Sequence, residues 1–280
     1  MSTLFVVQVG SKYDCSFMCR PATVPTKDFP TASLPQIDYP ADIPSMDAGF
    51  SLIEALRFQQ FWNGDDMAYR AVFARSDAEP IKVGDVHVIP VGSIEFAEKY
   101  LGRHIRPINV PKELRDPVFS GREIEVRPWC ELDTFAKSKG LHREDVFAKS
   151  EQYIKRDRIQ LSAEESENEM YQFTTPLPAI CSEWRIFVFR GKIVGCQCYS
   201  DEEDGLTPRA PAEDAVKRMI LAYRQCPPAY TLDVAVCKGQ NGYATFVVEC
   251  HNFISCGLYG LDAPNILPQM MSRAWQYEIN

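Results

Sequence analysis

In the stretch Glu183-Trp184-Arg185-Ile186-Phe187-Val188-Phe189-Arg190-Gly191-Lys192-Ile193-Val194, a run of β-branched and aromatic residues reaches Arg190, turns, and resumes. Trp184 to Arg190 has the alternation of a strand, Gly191-Lys192 supplies a two-residue turn with glycine first, and Ile193 to Tyr199 returns as its partner. Further on, Ala215, Val216, Met219, Ile220 and Tyr223 recur at helical spacing within Ala212 to Gln225, with Glu213 and Asp214 in the first turn and Pro227-Pro228 as a stop. Two more strands, Tyr230 to Cys237 and Tyr243 to Cys250, are joined by Gly239-Gln240-Asn241-Gly242, a hairpin signal. Hairpin, helix, hairpin is the frame of the C-terminal third.

Charged residues lie inside these strands, where burial is costly unless they are paired or bind something. Glu183 and Arg185 are two apart and so share a face. They either form an ion pair on the sheet or meet a ligand. Asp233 sits between Leu232 and Val234, and Glu249 follows Phe246-Val247-Val248 at the end of the partner strand. Two carboxylates brought together across a hairpin repel unless a cation or a shared proton lies between them. Such oxygen pairs suit Mg²⁺ together with phosphate oxygens; the alternative is that one of them caps a strand end.

Outward from this core, the N-terminal part alternates strands and helices. Leu4 to Val9 reads as a first strand rather than a signal peptide, and Leu52, Ile53, Leu56 and Phe61 form one apolar stripe on a helix from Ser51 to Trp62. Val86 to Val91 is a strand that turns at Gly92-Ser93 into a helix from Ile94 to Tyr100, a geometry able to receive an anion at a helix N-terminus but too short for a P-loop. Pro-rich Arg20 to Pro44 reads as an extended loop and Pro107 to Pro117 as a linker. Then come a strand from Glu123 to Pro128, a helix from Leu132 to Lys139 and a strand from Val146 to Lys149. The acidic stretch Ser162 to Glu169 reads as a solvated surface turn. The whole is an α/β pattern.

Composition excludes several classes. The net charge of −8 argues against sequence-independent binding to nucleic acid or an anionic membrane. No apolar run is long enough to span a bilayer. The ten cysteines contain no C-x-x-C pair, and Cys196 and Cys198, on one strand face, read as packed thiols; with no secretory signal, a reduced, cytoplasmic protein is expected.

The order of pieces around Arg185, Asp233 and Glu249 resembles the catalytic half of ATP-grasp enzymes. Val91-Gly92-Ser93-Ile94-Glu95-Phe96, Phe147-Ala148-Lys149-Ser150 with Lys155, and Ser255-Cys256-Gly257-Leu258-Tyr259-Gly260 resemble more closely a small ATP-grasp clade of phages and bacteria named for one arginine and two lysines. The resemblance spans roughly Val86 to Leu261. It implies an ATP-grasp fold: a pre-ATP-grasp domain over 1–122 and an ATP-grasp domain over 123–280, with a lid at 123–179 and an antiparallel catalytic sheet at 180–280. It also implies an ATP-dependent, Mg²⁺-assisted ligase that joins a carboxylate to an amine through an acyl phosphate. The substrates would be small molecules, peptides or proteins. A nucleotide-binding regulator without ligase activity and a phosphotransferase to a non-carboxylate acceptor are the alternatives.

Residue by residue, the resemblance implies that Lys149 and Lys155 hold ATP phosphates and that Arg185 stands near the γ-phosphate where charge develops. Glu183 binds ribose, orients a lysine or pairs with Arg185. Asp233 and Glu249 match the Mg²⁺ carboxylates. The wider superfamily places an asparagine ligand two residues after the glutamate, whereas here that position is His251 and the asparagine is Asn252. Either Asn252 swings to the metal at a strand end, or His251 takes another role, binding substrate or acting as a base toward the amine. The loop from Ser255 to Gly260 is either a plain turn or a cradle of backbone N–H groups for an anion.

Overall fold

The computed structural model describes residues 3–10, 43–44, 46–64, 68–154, 168–200, 208–240 and 242–280. The Pro-rich loop falls outside these residues except for its end, where Ile43–Pro44 pairs as a short strand (β2) with β1, Thr3–Gly10. By compactness the chain forms two units, residues 1–103 with 253–280, and residues 104–252, so the division falls elsewhere than at the expected 122/123 boundary.

In the first unit β1 lies between two parallel partners, β3 (Tyr69–Arg75) and β4 (His87–Val91). All but the last residue of β1 is buried, as a strand covered on both faces must be. α1 (Asp47–Asn63) buries Leu52, Ile53 and Leu56, but Phe61 is 80% exposed and lies off the expected stripe. Ser93 caps α2 (Ile94–Leu101), its hydroxyl accepting from the Phe96 N–H at 3.2 Å. The chain's last helix packs on α1 and β4 and returns the C-terminal segment to this unit.

The second unit holds two antiparallel sheets. The smaller has the order β5-β7-β6, with β5 Ile124–Pro128, β6 Phe147–Ser150 and β7 Met170–Thr174. It is backed by α4 (Leu132–Ser138), whose Leu132, Phe135 and Ala136 pack with Tyr171 and Phe173. The larger has the order β11-β10-β8-β9, from β8 Ile180–Phe189, β9 Lys192–Cys198, β10 Ala229–Gly239 and β11 Gly242–Asn252. The β8–β9 turn is Arg190-Gly191, both at positive φ (50° and 72°), so Lys192 already belongs to the returning strand. Gln240 and Gly242 flank the other turn, and Asn241 lies outside the described residues.

One face of the larger sheet is apolar. Ile186, Val188, Leu232, Val234, Val247 and Cys250 pack there against Val216, Met219, Ile220 and Tyr223 of α5 (Glu213–Ala222) and its C-terminal edge. Val110 and Leu114 join this core, so the expected linker is a packed segment. It ends in α3 (Pro117–Ser120), capped by Asp116, whose carboxylate accepts from the Val118 N–H. Two other expectations change. Glu169 is buried rather than solvated, and Cys196 is exposed rather than packed.

Candidate functional site

Strand register assembles the site on the other face of the larger sheet. Asp233 of β10 lies directly opposite Arg185 of β8 on one side and Glu249 of β11 on the other, so three charged residues form one row across three strands. Arg185 is nearly buried and binds Asp233 through two nitrogens: Nε donates to Oδ1 at 2.8 Å and an Nη to Oδ2 at 2.7 Å. The fork that the sequence offered to Glu183 is therefore spent on Asp233. Glu183, one alternation along β8, receives the Tyr199 hydroxyl at 3.5 Å. Burial, with Asp233 and Glu249 nearby, raises the Glu183 pKa, and burial beside the same three carboxylates pushes the Tyr199 phenol up.

His251 shares the Glu249 face, its Nε2 lying 3.2 Å from Glu249 Oε1 and 3.5 Å from Asp233 Oδ2. Burial alone works against the charged imidazole, but hydrogen bonds and charge from Asp233 and Glu249 outweigh it and raise its pKa. Burial likewise works to raise the Glu249 pKa, yet the His251 bond and charge and Lys149 hold it below the usual carboxylate range. Lys149 reaches Glu249 from β6 of the smaller sheet as an ion pair. Asp233, Glu249 and His251 each offer one ligand atom, all within 4.8 Å of one another.

Asn252 does not join them. β11 runs through Asn252, which still pairs with Tyr230 in the ladder, so alternation turns it to the face of Cys250 and the apolar core. Lys155 lies outside the described residues.

Several supporting residues are not visible in the sequence. Val234 pairs with Val247 although Asp233 pairs with Glu249, so Val248 is an extra, bulged residue just before Glu249. Arg122 grips that bulge, its two terminal nitrogens donating to the Val247 and Val248 carbonyls at 2.9 Å each. Burial lowers the Arg122 pKa to about 10. Asn109, in the left-handed region at φ 52°, accepts from the Cys250 N–H at 2.6 Å and donates its amide to the Ser150 carbonyl at 2.7 Å. It thereby ties the end of β6, one residue from Lys149, to β11. The Ser150 hydroxyl donates to the buried Glu169 carboxylate. Thr231, opposite His251 in the ladder, is fully buried with no hydrogen-bond partner for its Oγ1. A bulge and a long-range side-chain bond leave no local pattern; an asparagine at a left-handed position is the one signal that composition could have offered.

In the first unit, the Ser255–Gly260 loop does present N–H groups to an anion, and the anion is internal. Leu258 and Tyr259 N–H donate to Asp47 Oδ2 at 2.7 and 3.2 Å. Ser255 and Tyr259 both adopt positive φ, and the Ser255 hydroxyl donates to the Gly92 carbonyl at 2.6 Å. At the β4–α2 turn the Ser93 N–H goes to Gln8 Oε1 at 2.6 Å, and a Cβ on Gly92 would collide with that same glutamine side chain.

Comparison with known proteins agrees with this architecture. A family model for an ATP-grasp domain, family 3 of the clade named for one arginine and two lysines, matches residues 30–271. No curated protein matches the sequence. The D-alanine–D-alanine ligase from Bacillus anthracis complexed with ATP superposes with a TM-score of 0.50 at 12% identity, covering 99% of this chain and 98% of that one, a likeness of fold. The macrocyclase MdnC bound with precursor peptide MdnA from Microcystis aeruginosa MRC gives 0.45 at 12% identity, with 100% of both chains covered. A RimK domain ATP-grasp protein from Sphaerobacter thermophilus gives 0.44 at 13%, covering 84% of this chain and 96% of that one. With most of its length matched by the family model, the chain belongs to the ATP-grasp domain family, in the third family of the one-arginine, two-lysine clade.

Proposed function

We propose that the protein is an ATP-dependent ligase that activates a carboxylate as an acyl phosphate and passes it to an amine, forming an amide and releasing phosphate. The observation that carries this is the row Arg185, Asp233, Glu249 on one sheet face, with Lys149 brought to Glu249 from a second sheet. Cations and carboxylates interleaved in this way suit a polyphosphate and its divalent ion better than a neutral substrate. A divalent ion held by Asp233 and Glu249 would supply charge neutralisation at the phosphate oxygens. Lys149 contributes a point charge to bind phosphate, and Lys155 is proposed for the same task. Arg185, locked to Asp233, orients that carboxylate and adds positive charge beneath the site. Domain roles follow: the smaller sheet acts as lid, and the substrates are a carboxylate and an amine of small-molecule or peptide type.

The test is hydroxylamine trapping. Purified protein is incubated with ATP, Mg²⁺, pooled amino acids, peptides and small acids, and hydroxylamine, and products are read by mass spectrometry. A hydroxamate that appears only with ATP, and that Lys149→Ala lowers, is the expected result. ATP consumption without any hydroxamate would favour a phosphotransferase instead.

A further inference from the structure

We infer that His251 is itself a ligand of the divalent ion, completing a nitrogen–oxygen donor set with Asp233 and Glu249 that selects a first-row transition ion of the Mn²⁺ class over Mg²⁺. This rests on the proposal that Asp233 and Glu249 hold a cation, and it goes further by assigning the third donor and the class of metal.

The geometry comes first. Donors around one ion at about 2.1 Å stand about 3 to 3.4 Å apart. The His251 Nε2 lies 3.2 Å from Glu249 Oε1 and 3.5 Å from Asp233 Oδ2, close to that spacing. Each carboxylate is already oriented by a different cation: Asp233 by the Arg185 fork, and Glu249 by Lys149 on Oε2, which leaves Oε1 turned to the imidazole. The oxygen donor expected from Asn252 is turned to the other face, so the histidine takes the position an asparagine was expected to fill.

A second observation is independent of the cluster. Thr231 Oγ1 is fully buried, lacks a partner, and lies opposite His251, on the same strand face as Asp233 two residues on. A buried hydroxyl without a partner costs about 1 to 3 kcal/mol, so its retention beside three converging donors points to a bound group, such as a water in an ion's coordination shell.

The donor chemistry then decides the metal. Mg²⁺ favours an octahedron of hard oxygens at short, nearly fixed distance and gives up its waters reluctantly. Imidazole suits the first-row transition ions, which accept mixed nitrogen and oxygen sets. His251 therefore discriminates between ions that the two carboxylates alone treat more alike.

The probe is Mn²⁺ added to the full chain, with and without ADP, followed by electron paramagnetic resonance. Bound Mn²⁺ is expected to show nitrogen-14 echo modulation from an imidazole, altered when the histidines are labelled with nitrogen-15. Mg²⁺ should displace it only weakly. His251→Ala should abolish the modulation and weaken Mn²⁺ on the order of tenfold or more, with a smaller loss for Mg²⁺. Mn²⁺ bound without imidazole modulation, displaced by Mg²⁺ at equal concentration, would overturn the inference and leave the carboxylate cation site standing. Failure of either ion to bind, with or without ADP, would remove that site and the inference together. The wild-type spectrum decides even if the variant fails to fold.

Discussion

Arg185 and Asp233 are joined by two hydrogen bonds with side chains only 8% and 2% exposed, so neither charge has water to fall back on. Removing one partner from such a pair leaves the other buried and uncompensated, at about 3–5 kcal/mol. Arg185→Ala is expected to lose stability on that scale in urea denaturation. Asp233→Ala should do likewise, and the double variant should fall short of the summed losses by about 1 to 3 kcal/mol. Strict additivity would mean that the two side chains do not depend on each other. Both residues stand out in the sequence as charges within strands, but their pairing does not. Residues i and i+2 on one strand are about 6.6 Å apart, whereas direct cross-strand neighbours are about 5 Å apart. Asp233 therefore takes Arg185 from Glu183, through a register that the sequence does not spell out.

The same limit holds for whole elements. Strong period and turn chemistry make the β8–β9 and β10–β11 hairpins and α5 legible, and the structure has them within a few residues of their expected bounds. The segment from Pro107 to Pro117 reads as a linker because its pieces are too short to show a period: a single 3₁₀ turn at Lys112–Leu114 and the four residues of α3. Its buried Val110 and Leu114 are found only by knowing what lies over the sheet. β3 and β7 escape the sequence reading, since neither stands next to a turn signal strong enough to mark it. The site face follows the hairpins, and so Arg185, Asp233, Glu249 and His251 are all legible, while Arg122 and Asn109, which act from outside the sheet, are not. Gly121 shows how tightly α3 seats on β11. It caps the helix at φ 64°, and an added Cβ would meet the Phe246 ring. Gly121→Ala is expected to cost about 2–4 kcal/mol, combining left-handed strain with displacement of the ring. Gly140, at φ 67° with open space around it, supplies the control, and Gly140→Ala should lose only about 1–2 kcal/mol. Equal losses in chemical denaturation would assign the whole effect to the backbone.

At the scale of the chain, the first unit is discontinuous, drawing on residues 1–103 and 253–280. Its last helix, which becomes α6 (Leu267–Ile279), buries Leu267, Met270, Met271 and Trp275 in that unit. Four large apolar side chains at about 1.5–3 kcal/mol each approach or match the entire stability of an ordinary domain. A chain ending at Asn252 should therefore lose the cooperative melting of residues 1–103 and expose them to limited proteolysis, while the 104–252 fragment resists. Protection of both fragments would mean that the parallel sheet stands without its closing helix. Cys256 and Leu258, in the returning segment, are buried in the same unit, which deepens the dependence. The discontinuity also sets an order of events on the ribosome. β1, β3 and β4 are synthesised first but stay uncovered until the final codons have been translated, whereas residues 104–252 are complete as soon as they emerge. The opening strands of the protein are thus the last to be sheltered, and the interval in which a chaperone is most useful to them is set by the time taken to translate everything in between.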